Sequence, residues 1–184
     1  LLPTIVSRCQ AMPMHPLPLA QIEAALMERY ACPPEKARLL ARLSAGRMGW
    51  AIQAVQDEAI LTQRDKLMTR LAALAHATRV DRLAFAAEQA QRYGKEMAER
   101  EAVHAVLNLW AGWWRDLILV KQDCAHLVVN VDRLESLQQE AKRYSSEQAR
   151  GFLAALSQTN QQLRQNVNPR LALEVLVLAV PKGI

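Results

Sequence analysis

The chain has 184 residues, 51% of them hydrophobic and 22% charged, with a formal net charge of +5. That balance excludes a disordered tail and supports one ordinary domain or two small ones. Six glycines, 5% aromatics and an abundance of alanine, leucine, glutamine and arginine favour helix.

The opening stretch, Leu1 to Gln10, runs apolar, then Pro3, then Ser7-Arg8-Cys9. It reads as the end of a buried element, so the chain is expected to begin inside a longer protein. Three prolines, Pro13, Pro16 and Pro18, mark residues 11 to 18 as a linker. Leu19, Ile22, Leu26 and Tyr30 follow at helical spacing. Pro33-Pro34 stops that helix and opens the next, whose buried face is Leu39, Leu40 and Leu43. Gly46 is the expected end-cap. Met48, Ala51, Ile52 and Val55 make a third stripe, and Ile60, Leu67, Leu71 and Leu74 a fourth. The fold class predicted here is all-α: a short remnant and linker over 1–15, a small helical domain over 16–76, and a helical bundle over 77–184.

Thr78 and Asp81 have capping-box character at the second boundary. Leu83, Ala87 and Ala90 are the expected inner face of the next helix, which Gly94 interrupts. From Lys95 to Lys121 one long helix is expected, apolar over most of its circumference between Val103 and Val120. Trp110, Trp113 and Trp114 stand on it at i, i+3 and i+4. They read as core, or as a face turned to a partner, where tryptophan is enriched. Their leucine and valine neighbours argue against base stacking. Asn130 is an expected cap for a helix carrying Val131, Leu134, Leu137 and Ala141. Ser145 and Gln148 have capping-box spacing ahead of Ala149, Phe152, Leu156 and Leu163. Asn168-Pro169 opens the last helix, with Leu173, Leu176, Val177 and Val180 inward. Leu173, Leu176 and Val177 join the three tryptophans as candidate interface residues.

Cys9, Cys32 and Cys124 are far apart and form no CxxC, so neither a zinc knuckle nor a disulfide framework is indicated. A reducing, cytoplasmic setting fits. His15, His76, His104 and His126 are isolated. No apolar run approaches a membrane span, and no membrane partner is expected. There is no Gly-x-x-x-x-Gly-Lys-Ser/Thr loop, no acidic pair placed for magnesium, and no local nucleophile motif. No cofactor, no metal and no catalysis by this chain alone are therefore expected. A basic balance admits a polyanionic partner without requiring one.

Leu2-Pro3-Thr4-Ile5, then Ser7-Arg8-Cys9-Gln10, resembles the end of the ATPase core in bacterial clamp-loader subunits of the AAA+ superfamily. Val6 stands where that family often has a basic residue. The segment Leu43 to Ala51 resembles the lid turn that contacts nucleotide. Gly49 falls where hydrolysing subunits carry an arginine, and Arg47 lies two places early. Asn168-Pro169 resembles the start of the family's final helix. The nearest resemblance is to the delta-prime branch, which does not hydrolyse ATP.

The resemblance implies that 1–15 ends an AAA+ core, 16–76 is the lid and 77–184 is the oligomerisation collar. It implies that Arg8 reaches a neighbour's ATP in trans, with Ser7 and Cys9 positioning it. It also implies the other clamp-loader subunits as partners through the collar. The sliding clamp and primed DNA would be met through the assembly, a subunit of a DNA polymerase holoenzyme. Two alternatives remain open on the residues. One is an ATP-hydrolysing subunit of the same family. The other is a helical adaptor or nucleic-acid-binding module without a replication role.

Overall fold

The computed structural model describes residues 7–10 and 15–183. Its described residues are helices joined by turns, without a strand. The chain divides by packing into two units, 1–58 and 59–184. Leu1 to Val6, the apolar end expected of a buried element, lies outside the described residues, as do Pro13 and its neighbours in the linker.

In the first unit, α1 (Leu19–Tyr30), α2 (Pro34–Ser44) and α3 (Met48–Gln56) pack against one another. Ile22 and Leu26 of α1 meet Ala37, Leu40 and Ala41 of α2 and Ala51 and Ala54 of α3 as the buried residues. Alanines dominate α2 and α3 at these positions, which lets short helices approach closely. Leu39 and Leu43, expected inward, are only half-buried.

The turn after α2 differs from the sequence expectation. Ala45, not Gly46, is the residue that ends the helix, with φ 48–49° shared by the similar cap at Ala31. Gly46 follows at φ +84°. A side chain there would meet Pro16, whose Cβ lies 2.3 Å from where one would stand. The Leu17 amide also donates to the Gly46 carbonyl at 2.9 Å. Glycine is required because the linker crosses directly over this turn.

The second unit holds α4 (Glu58–Leu74), whose first residue belongs to the first unit. It continues with α5 (Arg79–Tyr93), α6 (Met97–Lys121), α7 (Leu134–Ala141), α8 (Ser146–Arg164) and α9 (Pro169–Leu178). Two 3₁₀ turns, Ala125–Leu127 and Val131–Arg133, lie between α6 and α7. The long α6 packs chiefly on α8 and α7, and α9 chiefly on α5.

The caps explain where these helices begin. The Thr78 hydroxyl accepts from the Asp81 amide, and Ser145 and Gln148 complete a reciprocal box. The Asn168 side chain accepts from the Arg170 and Leu171 amides, with Pro169 in the first turn.

Met68, Leu71 and Leu74 of α4 are buried in the core of the second unit. Packing therefore divides the chain at 58/59, whereas the helical pattern set the boundary at 76/77. The turn before Thr78 is a real interruption. It bends the chain within one core instead of separating two.

On α5 the buried side chains are Arg82, Phe85, Ala86, Gln89 and Tyr93. Leu83, Ala87 and Ala90, the expected inner face, are half-buried beside them. The phase is turned by one residue because Arg82 goes inward.

Candidate functional site

Arg8 lies in a turn and is exposed, as are Ser7 and Cys9 on either side of it. An exposed guanidinium on a short turn is free to meet an anionic group supplied from outside the chain. In the lid turn, Arg47 does not point to an open position. Its Nε donates to the Ser44 carbonyl at 3.0 Å, satisfying an end group of α2. Gly49 lies exposed in the first turn of α3, with nothing within 4 Å of an added Cβ.

The six candidate interface residues lie elsewhere than on a surface. Trp110, Trp113 and Trp114 are 1%, 6% and 1% exposed, and Leu173, Leu176 and Val177 are 1% each. Trp110 and Trp114 both contact Phe152 edge-on, at 5.0 and 4.9 Å between ring centres. Trp114 also meets Tyr144 at 5.0 Å, and Phe85 meets Trp110 at 6.3 Å. These rings form the centre of the unit's own core. The correction has a simple cause: α6 is flanked by α5, α7 and α8 of the same chain, which already cover its apolar circumference.

Among the described residues, the outer face of α9 groups three exposed apolar side chains on one helix. Leu171, Val175 and Leu178 are 59%, 60% and 51% exposed and recur at i, i+4 and i+7. They form one stripe opposite Leu173, Leu176 and Val177. The Arg170 and Glu174 side chains pair beside it at 2.8 Å.

Polar residues that the pattern did not single out fix the core. Asp116, fully buried on α6, accepts from the Val129 amide at 3.0 Å and the Asn130 amide at 2.8 Å. It also accepts from the Asn130 side chain at 2.7 Å and pairs with Arg115. Asn130 thus stands at the start of the Val131–Arg133 turn, but its side chain makes no cap bond. Its side-chain oxygen accepts from Arg64 at 2.5 Å, and Arg64 also pairs with Asp132 at 2.7 Å. The network ties α4 and α6 to the 3₁₀ segment before α7. A lone aspartate inside the apolar run of α6 was the available sequence signal.

Arg82 plays a comparable part at the other end of the unit. Its guanidinium donates to the Leu74, Ala75 and Val180 carbonyls at 3.0, 2.9 and 3.1 Å. It caps the end of α4 and holds the segment after α9.

No metal centre is assembled among the described residues. No helix of the described residues is long and apolar enough to cross a membrane.

The model of the family described as DNA polymerase III, delta subunit, C terminal, matches residues 58–181, two thirds of the chain. The chain belongs to this family. The match begins at Glu58, one residue before the second packing unit starts at Ala59. The chain is also similar to "DNA polymerase III subunit delta'" of Bacillus subtilis (strain 168), 27% identical over 183 residues. That similarity takes in 100% of this chain and 54% of the relative, so the chain spans about half the length of the curated protein it matches. No solved structure matches. The recognition drawn from the ends of the chain therefore stands: this is a C-terminal part of the delta-prime type in the DNA polymerase III family.

Proposed function

We propose that the chain serves a clamp loader as the lid and collar of a delta-prime subunit, one that does not itself hydrolyse ATP. Residues 59–184 form the collar, and 16–58 form the lid. The assembly loads the sliding clamp onto primed DNA in the cytoplasm, and this subunit joins its neighbours through the collar. Arg8, flanked by Ser7 and Cys9, reaches the ATP of an adjacent subunit. The observation that carries this reading is the coincidence of the family match with one self-contained helical core. That core also leaves an apolar stripe uncovered on its last helix.

The interface is assigned to Leu171, Val175 and Leu178, since the residues beneath them are spent inside the subunit. Apolar side chains at this exposure fit a partner surface better than water. The absence of a lid arginine at Gly49 supports the non-hydrolysing reading, since Arg47 is engaged on α2.

The test is light scattering on size-exclusion fractions. The chain is mixed with the collar region of the same organism's clamp-loader ATPase subunit. A stable mixed complex is expected, and Leu171→Glu with Val175→Glu is expected to dissolve it while circular dichroism stays unchanged. Separate peaks at micromolar concentration for the unaltered chain would reduce the family match to ancestry.

A further inference from the structure

Between the start of α5 and the segment that follows α9 lies a cleft of about 300 Å³. Its ionisable lining residues are His76, Arg79, Arg82 and Lys182, and none of its lining residues is acidic. The floor is Arg82, 8% exposed, three of whose N–H groups are taken by the Leu74, Ala75 and Val180 carbonyls. Carbonyls orient that charge but do not neutralise it. A guanidinium has five N–H donors, so two remain uncommitted.

Arg79 and Lys182 flank the floor and are exposed. Neither side chain has a hydrogen-bond or ion-pair partner among the described residues. This contrasts with Arg70, Arg92 and Arg170 of the same unit, which pair with Glu88, Glu99 and Glu174. The cleft also receives the first turn of α5, a helix of 15 residues whose partial positive charge adds to the field.

Two carboxylates of the same unit, Glu140 and Asp81, already have partners. Glu140 pairs with His76 at 3.2 Å and with Arg143 at 3.6 Å. Asp81 accepts from the Thr78 hydroxyl at 2.7 Å and lines a different hollow, with Arg70 and Glu88. Arg143 itself stands behind Gly183 at the rim, its Cβ 3.6 Å from where a glycine side chain would begin. Glu140 thus answers His76 and Arg143, while Arg79, Arg82 and Lys182 share this concavity with no carboxylate paired to them among the described residues, a setting that concentrates anions.

We infer that this cleft is a site for a phosphate group, with Arg82 orienting it from below and Arg79 and Lys182 closing on it from either side. Arginine's planar fork suits phosphate oxygens, and lysine adds a mobile point charge. The group is carried by a nucleic-acid strand or is free phosphate. The inference does not rest on the clamp-loader reading, because the site is complete within residues 75–183.

The experiment uses the full chain with two probes, a fluorescent single-stranded oligonucleotide and inorganic phosphate. The double variant Arg79→Ala with Lys182→Ala is compared with Lys95→Ala with Arg150→Ala, which removes equal charge elsewhere on the same unit. Circular dichroism confirms that both variants fold. The first pair is expected to weaken oligonucleotide binding about tenfold and to flatten its dependence on log salt by about 0.7 per cation removed. The control pair is expected to leave both within about twofold of the unaltered chain. Inorganic phosphate that shifts the amide resonances of residues 79–81 and 182–183, and displaces the strand, identifies free phosphate as a sufficient ligand. Strand binding without that response identifies the nucleic-acid backbone. Equal weakening by the two variant pairs would overturn the inference in favour of a diffuse basic surface. So would failure of the unaltered chain to bind either probe.

Discussion

A single side chain, Asp116, holds the least regular part of the second unit. Residues 122–133 make no continuous helix, yet Val128 and Asn130 are buried there. One carboxylate oxygen takes three N–H donors from that stretch. Replacing it by alanine would leave two backbone amides and an amide side chain without partners inside the core. Asp116→Ala is expected to destabilise the unit by about 3–5 kcal/mol. Urea unfolding followed by tryptophan fluorescence measures this, since Trp110, Trp113 and Trp114 all lie in the same core. A change below about 1 kcal/mol would mean that water takes over the donors. Arg8 is the opposite kind of residue, exposed on a turn. Arg8→Ala is expected to leave stability and assembly untouched while lowering DNA-stimulated ATP hydrolysis in the reconstituted clamp loader. Trans-acting arginines contribute about 10³–10⁵ in rate at the site they serve. Unchanged hydrolysis at saturating ATP would remove the finger assignment.

Among the elements, α8 and α9 show how far periodicity reaches. Ala149, Phe152, Leu156 and Leu163 are buried as their spacing implies, and so are Leu173, Leu176, Val177 and Val180. Both helices start at caps written plainly in the chain, Ser145 and Asn168. α5 shows where the method stops. An arginine reads as solvent-facing by its chemistry, and only the carbonyls of Leu74, Ala75 and Val180 make its burial favourable. Those carbonyls are brought together by tertiary packing, 98 residues apart in the case of Val180. The same limit applies to Asn130, whose partners Asp116 and Arg64 lie on two other helices. The tryptophans illustrate a further one: a helix apolar all round must be covered, but the pattern does not name what covers it. One element also retains a local weakness. Gly151 sits in the interior of α8, exposed, with nothing within 4 Å of an added Cβ. Gly151→Ala is expected to stabilise the fold by about 0.5–1 kcal/mol, because it restricts the unfolded chain. A thermal melt showing no rise would point to a contact that the added methyl disturbs.

At the scale of the whole molecule, the family match starts at Glu58 and the second packing unit at Ala59, one residue apart. This makes α4 part of the core it precedes. It contributes Met68, Leu71 and Leu74, and its Arg64 and Asp65 pair with Asp132 and Arg133. A chain beginning at residue 58 is expected to unfold cooperatively by itself. One beginning at residue 77 loses three buried apolar side chains and two of the carbonyls that receive Arg82. Its deficit is expected to be on the order of 5 kcal/mol, at about 1.5–3 kcal/mol per buried side chain. Equal urea midpoints for the two would show that α4 is dispensable and would restore 76/77 as the working boundary. The helical class, the order of elements and most of their caps were legible in the chain. The boundary was not, because a turn within one core and a turn between two carry the same local signals.

The span from Arg82 to Val180 also sets a clock on biosynthesis. Arg82 leaves the ribosome 98 residues before the carbonyl that completes its setting. At about 5–20 residues per second, that is an interval of roughly 5–20 s. Throughout it, α5 lacks α9, its principal packing partner. The nascent unit must therefore wait with its first helices uncovered, and its final closure comes only with the emergence of its last helix.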